Sequence, residues 1–424
     1  MIAYEICREV LSQIGENIPD KLYLNQSNHM TEATLKIVSG LSEKDLLEMK
    51  EMDSKLATLM SFYSLMSHAA FLAKPEMIPF LACRSVQRTM ENGMCKHSIS
   101  GFLVLAALRL RMTMTEEDID IGSKVGKAAV SCFTQRYNKA DSIPETVSLY
   151  YGFVAWQTEP LQICVKKLRQ VFEVGMSVGD LDYAFNSAAQ YGMNSIQVGD
   201  RLSTVMKLLG YYMQVANTYQ HHSILIFSIY LSAITIMIGG GDSLPYPAEA
   251  QEAAPTKILE LMYFFSALQA YWQGYNERSQ HYVDKMLAVI PTSNVDIQGP
   301  NSAYIMFING LNSVELMKIK CTGKLKSSLS KAFKFLQMAS KCSSWNFQNK
   351  VRYLKPVDGA FYFVSSTHLK HQSCFLSSCH AYFVRSNCWK QNGFRTKANT
   401  MKPRHLILHP LVLHLHLDLF MSKV

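Results

Sequence analysis

Residues 158–192 read TEPLQICVKKLRQVFEVGMSVGDLDYAFNSAAQYG, and this stretch decides the fold. Thr158 and Pro160 are helix-starting signals, since a proline in the first turn lacks only an N–H that no helical carbonyl would have used. The helix they open runs to about Val178 and stops at Gly179, the residue type that most easily takes a left-handed C-terminal cap. Asp180 follows at once as the N-cap of a second helix, which carries Tyr183, Ala184, Ala188 and Tyr191 on one face. Two amphipathic helices separated by so short a break pack as an antiparallel hairpin.

The same punctuation recurs in both directions. Residues 2–14 carry Ile6, Val10, Leu11 and Ile14 on one helical face and stop at Gly15. Asp53 caps a helix whose stripe is Leu56, Leu59, Phe62, Met66, Ala69 and Leu72; Pro75 opens the next, and Gly93 closes it. Thr115, Glu116, Glu117 and Asp118 resemble a capping box, with acids where the helix dipole favours them. Ser142 and Pro144 open a helix bearing Val147, Tyr151, Val154 and Ala155, and Asp200, Pro255 and Asn301 mark further starts. Period-two alternation is nearly absent from this part of the chain. The expected fold is therefore all-α, an irregular α-solenoid of antiparallel helical hairpins with tetratricopeptide-like packing, although no strict 34-residue repeat emerges. Residues 259–291 come closest to one such repeat unit.

Composition divides the chain. Residues 355–424 contain no glutamate, and Asp358 and Asp418 are their only acids against nine of the 42 Lys+Arg. Nearly all of the formal +9 charge therefore belongs to this tail, expected to be poorly ordered, and the body is close to neutral. The glycines and prolines of residues 241–255 read as a linker between an N-terminal helical array, 1–240, and a second hairpin block, 256–354. An apolar fraction of 48% with 18% charged excludes global disorder, because there is ample surface to bury. Glu5, Arg8 and Glu9 interrupt any secretory h-region, and Cys7, Cys83, Cys95, Cys132 and Cys164 lack paired short spacings. Reduced, buried thiols in a cytoplasmic protein are the expectation. The uncharged run 223–240 lacks Lys/Arg anchors near its ends and reads as a buried helix; no membrane span is expected.

No catalytic, cofactor or metal site can be assigned from the residues. The string from Gly122 to Gly126-Lys127-Ala128 falls one residue short of a P-loop, lacks the magnesium-binding hydroxyl and sits inside a helical pattern. Kinase loops, a G-x-S-x-G elbow and HExxH are all missing. Tyr150-Tyr151 with Trp156, and Tyr211-Tyr212 with Tyr219, read as core and hairpin interface. His97 reads as a local cap or surface residue, and His221-His222 as a loop-end pair. His368, His371, Cys374, Cys379, His380 and Cys388 give the tail soft ligands in a loose register, short of the two clean pairs of a structural zinc site.

Several stretches, taken in order, resemble a known family. They are CREVLSQIGENIP at 7–19, the run 55–102 from KLATLMSFYSLM to CKHSISGF, EVGMSVGDLDYAFNSAAQYG at 173–192, and SLSKAFKFLQMASKCSSWNFQNKVRYL at 328–354. They are similar to the helical middle region of large signalling proteins that join a serine/threonine protein kinase and an AAA-like, STAND-type ATPase to a tetratricopeptide-like array. GAF and histidine-kinase modules often follow in that family. The resemblance covers roughly residues 5–354 and ends at Lys355-Pro356-Val357-Asp358-Gly359, where composition changes. It implies a non-catalytic helical scaffold that couples the binding of protein partners to an attached kinase. The kinase and ATPase modules would lie upstream of Met1, and the tail would come from intron read-through or a frame shift. The alternatives are an enzyme fragment that keeps nucleotide chemistry, and a basic tail that binds nucleic acid or membrane. Without clustered Lys/Arg, specific nucleic-acid binding is not expected.

Overall fold

The computed structural model describes residues 2–112, 116–137, 139, 143–239, 246, 251–252, 254–289 and 300–354. Seventeen α-helices are among them: α1 (Ile2–Gln13), α2 (Leu24–Val38), α3 (Glu43–Glu48), α4 (Ser54–Ala73), α5 (Ile78–Asn92), α6 (Ser98–Met112), α7 (Glu116–Arg136), α8 (Ile143–Leu149), α9 (Leu161–Val178), α10 (Leu181–Val198), α11 (Leu202–Thr218), α12 (Ile224–Gly239), α13 (Thr256–Trp272), α14 (Asn276–Val289), α15 (Asn301–Ile319), α16 (Gly323–Cys342) and α17 (Ser344–Leu354). Among the described residues there is no β-strand, only an isolated bridge between Glu51 and Met94. The sheet of a kinase lobe or an ATPase core is therefore not among them.

The hairpin at 158–192 forms as its punctuation dictates. Gly179 takes φ +80° and donates its N–H to the Gly175 carbonyl, and the Asp180 carboxylate accepts from the Tyr183 N–H at 3.2 Å. α9 and α10 then pack along their length, and α11/α12, α13/α14 and α15/α16 repeat the pairing. The second helices of the first two pairs continue inward: α10 touches α12, and α12 touches α13. α12 is the uncharged run of the sequence, and its Phe227, Ile229, Tyr230 and Ile234 are buried between its neighbours. Among the described residues no helix is long and apolar enough to cross a membrane.

Two apolar cores hold the array. One gathers α1 to α8 and the start of α9, together with Phe307, Leu336, Phe347 and Leu354 from the last three helices. The other runs from Val165 to Ile308 through α9–α15. They meet because α17 returns to the start of α9. There Asn346 accepts the Leu161 N–H at 3.0 Å and donates to the carbonyls of Trp156 (2.9 Å) and Glu159 (3.1 Å). A helix has four N-terminal N–H groups without internal partners, and one of α9's is met by a side chain 185 residues away. The Trp156 and Phe347 rings meet edge to face beside it, at 5.8 Å. At the other end, Glu16 is buried just after the Gly15 turn, where it accepts from Tyr63 (2.7 Å), Arg84 (3.0 Å) and Arg88 (2.7 Å).

Several expectations change. α1 buries Tyr4, Cys7 and Leu11, whereas Ile6 and Ile14 face outward; the helix carries two apolar stripes, and packing against α4 selects one. On α4 the buried stripe is Leu59, Met60, Tyr63, Met66 and Ala70, turned slightly from the expected one. The helix expected from Pro144 to Ala155 loses its 3.6-residue period after Leu149: Tyr150–Val154 form a π-turn and Ala155–Gln157 a 3-10 turn. Thr158 and Asp200 are not caps, since the capping positions fall to Pro160 and Arg201. Tyr150, Trp156 and Tyr212 are core residues as expected, but Tyr211 and Tyr219 are exposed. Cys7, Cys83, Cys95, Cys132 and Cys164 are buried free thiols. Thr115, Ser142, most of the linker and the whole tail with its Cys/His set lie outside the described residues.

Candidate functional site

The inner helices leave a half-open cavity of about 170 Å³ between them. α4 contributes His68 and Phe71, the π-turn Gly152 and Phe153, α12 Ile226 and Tyr230, and α13 Lys257, Glu260 and Phe264. The longest wall is α10, which presents Asp182, Asn186, Gln190 and Asn194 to the space. These four polar residues are four positions apart, so they line one face at a rise of about 6 Å each. A smaller cavity of about 50 Å³ adjoins the first through His68, Phe71, Phe153 and Asn186.

The π-turn explains how α10 comes so close. A Cβ on Gly152 would lie 1.5 Å from Gln190 Oε1, so only glycine lets the two elements meet with that amide in place. Gln190 Nε2 donates to Asn186 Oδ1 at 2.6 Å, while Gln190 Oε1 is buried without a hydrogen-bond partner. Asn194 is 3% exposed and lines the cavity. The unpaired Gln190 Oε1 costs free energy, because it is closed off from water against Gly152. On the opposite wall the Lys257 ammonium meets Glu260 at 3.1 Å.

Histidines crowd the end of the cavity beside Asp182. His221 Nε2 donates to Asp182 Oδ1 at 3.0 Å, since a carboxylate can only accept. His221 Nδ1 accepts the Ser223 N–H at 3.3 Å. The ring stacks on Phe185 at 4.5 Å and lies tilted against His222 at 4.1 Å. The hydrogen bond from His221 holds the Asp182 carboxyl down to about 2, whereas desolvation pushes His222 down to about 4. His222 is exposed and also lines the cavity. Burial also lowers His68, whose ring lies edge-on to Tyr183 at 5.2 Å. Behind it Tyr183 donates to Glu145 at 3.3 Å, and the Ser64 hydroxyl does the same. Burial opposes the charge of Glu145, but His97 at 3.7 Å and the Ser64 hydroxyl outweigh it and hold the carboxyl below its ordinary value.

Asp180, at the N-cap of α10, is pushed the other way, up to about 6, by burial. The two shifts have opposite consequences for stability. His222, depressed from 6.5 to about 4, contributes stability that is complete above 6.5 and lost as pH falls toward 4. Asp180, raised from 3.8 to about 6, adds stability as pH falls through the same region. Denaturation midpoints taken between pH 7 and pH 4 should therefore fall more steeply in Asp180→Asn, which keeps a capping oxygen, and less steeply in His222→Gln. Equal slopes in both variants and the parent would show that neither group titrates as its surroundings dictate.

The sequence brought none of these groups forward as a site. His97, read as cap or surface, faces Glu145, while Ser98 accepts the Cys95 N–H. His221 and His222 do sit between two helices, but their partner Asp182 lies 39 residues away. The near-P-loop glycines are inside α7. Among the described residues no cluster of His, Cys, Asp or Glu could hold a metal ion. The Asp182–His221 pair has the form of the orienting half of a catalytic triad. The nitrogen that would have to activate a hydroxyl or thiol is occupied by the Ser223 N–H. Compared with protein-family models, with curated proteins and with solved structures, the chain matches none of them.

Proposed function

We propose that this helical-repeat chain is a non-catalytic scaffold of a cytoplasmic signalling polypeptide, one that captures a protein partner between its inner helices and passes that event to attached kinase modules. The observation that carries the reading is the cavity. It is walled by successive hairpins, it mixes aromatic rings with amide side chains, and its Asp182–His221 pair has its second nitrogen engaged by the backbone. Pockets that are mostly apolar with a few convergent polar groups are built to bind. The signalling context comes from the ordered motifs that resemble kinase–ATPase proteins, 173–192 and 328–354 above all. Neither the location nor the lack of catalysis follows from the cavity, and both belong to the same proposal.

Photocrosslinking tests it. Phe71 lines both cavities, so benzoylphenylalanine at that position should give discrete protein adducts in an extract of the source cells, and the same group at the exposed Tyr211 should not. Purified chain should hydrolyse no ATP above buffer. Adducts confined to Tyr211, or a turnover abolished by Asp182→Asn, would overturn the reading.

A further inference from the structure

The charges and rings around the cavity limit what it can hold. Among the described residues two carboxylates line it, Asp182 and Glu260, against one ammonium, Lys257. Burial holds His68 and His222 below their ordinary value, so neither ring adds positive charge at neutral pH. Glu260 is matched by Lys257 at 3.1 Å, which leaves the Asp182 carboxylate as the charge an occupant would meet. Asp182 is half exposed; its Oδ1 accepts from His221 at 3.0 Å, and Oδ2 has no protein partner among the described residues. Phe71, Phe153, Tyr230 and Phe264 supply the aromatic share of the wall. The face of an aromatic ring attracts cations, and this wall already holds one: Lys257 Nζ lies over the Phe71 ring at 5.9 Å. Such surroundings favour a cation and disfavour an anion. Size narrows the class further. The volume of about 170 Å³ is close to the roughly 150 Å³ that encloses a benzene molecule, so the space takes a group of about six non-hydrogen atoms. An alkylammonium arm fits, whereas a nucleotide or a stretch of main chain does not.

We infer that the cavity receives one alkylammonium group, presented by the partner as a lysine side chain, with its nitrogen beside Asp182 and its methylenes against the aromatic rings. This rests on the scaffold reading and specifies what the partner inserts. A lysine carries its charge at the end of a flexible apolar stem, and the half-open cavity leaves the rest of the partner outside.

The probe is n-butylammonium, a lysine arm without its backbone, and butan-1-ol is its uncharged counterpart of nearly equal size. Titrated onto the full chain and followed by ligand-observed NMR, n-butylammonium should bind about tenfold more tightly than the alcohol, or better. Asp182→Asn keeps an acceptor for His221 and removes the charge, so it should erase most of that preference. Phe153→Leu keeps apolar bulk at a partly buried position but removes a ring face; n-butylammonium should weaken about threefold while the alcohol changes little. Both ligands are compared within each variant, so a damaged fold shows as the loss of both and not as a lost preference. No binding of n-butylammonium, equal affinity for the two ligands, or a preference that survives in both variants overturns the inference. The crosslinks at position 71 identify the source of the group: n-butylammonium should suppress them, and butan-1-ol should not. Crosslinks undiminished by n-butylammonium, in a chain that binds it, would make the occupant a free amine and overturn the lysine assignment, yet would leave the scaffold reading standing. A chain that binds n-butylammonium but gives no protein adduct at position 71 would instead fail the scaffold reading.

Discussion

Asn346→Ala is expected to destabilise the chain by about 3–5 kcal/mol, the largest loss we foresee from a single polar side chain. Asn346 is 5% exposed; its Oδ1 accepts the Leu161 N–H, and its two N–H groups are shared among the Trp156 and Glu159 carbonyls and the Ser343 hydroxyl. Alanine leaves the Leu161 N–H and the Glu159 carbonyl without this partner, each worth about 1–3 kcal/mol, and opens a small void as well. The Trp156 carbonyl is less affected, because Ser343 Oγ also donates to it at 3.0 Å. Chemical denaturation of the full chain measures the loss, with the exposed neighbour Trp345→Ala as the control that should change little. Amide exchange at Leu161 should accelerate in step. A loss under about 1 kcal/mol would show that α17 is held by its apolar contacts alone.

Glu16→Ala should cost about 2–4 kcal/mol, because it strips the buried anion that Tyr63, Arg84 and Arg88 share and leaves only Arg88 with a second carboxylate, Glu91 at 3.1 Å. The arginine side chains are roughly a quarter exposed and can find water, which keeps the loss below that of a fully buried pair. Burial opposes the charge on Glu16, but the bonds from Tyr63, Arg84 and Arg88 outweigh it and hold the carboxyl below its ordinary 4.5. A depressed carboxyl contributes stability that is present above 4.5 and lost as pH falls through its lowered value. The gap between parent and Glu16→Ala, measured by denaturation, should therefore be widest near neutrality and close in acid. A gap that persists unchanged in acid would locate the loss in packing and not in charge.

What could be read from the residues was local. Gly179-Asp180 ends one helix and begins the next because both signals act within a few residues of the break, and the structure places them there. The same holds for Asp53, which caps α4, and for the Gly93 stop. Helix faces were less legible. α1 has a stripe through Ile6 and Ile14 and another through Tyr4, Cys7 and Leu11, and nothing within twelve residues says which one α4 will cover. The π-turn after Leu149 was hidden because an added residue per turn leaves the composition unchanged. The candidate site was illegible for a different reason: its polar groups converge from α4, α10, α12 and α13. The i, i+4 spacing of Asp182, Asn186, Gln190 and Asn194 is present in the sequence, but polar residues at that spacing usually mark a solvated face. Only the opposing aromatic wall turns the stripe inward.

A stack of hairpins joined only to nearest neighbours behaves like a spring, since each interface yields on its own and extension accumulates along the series. The bond set around Asn346 alters that mechanics by fastening residue 346 to residues 156–161 and short-circuiting everything between them. Tension entering at α17 passes across the clasp, and through the Phe307 and Leu336 that α15 and α16 lend to it, into the first core, whereas the buried residues of α10 to α14 belong to the second. The cavity walls made by α10, α12 and α13 thereby stand aside from strain on the chain ends while the clasp holds.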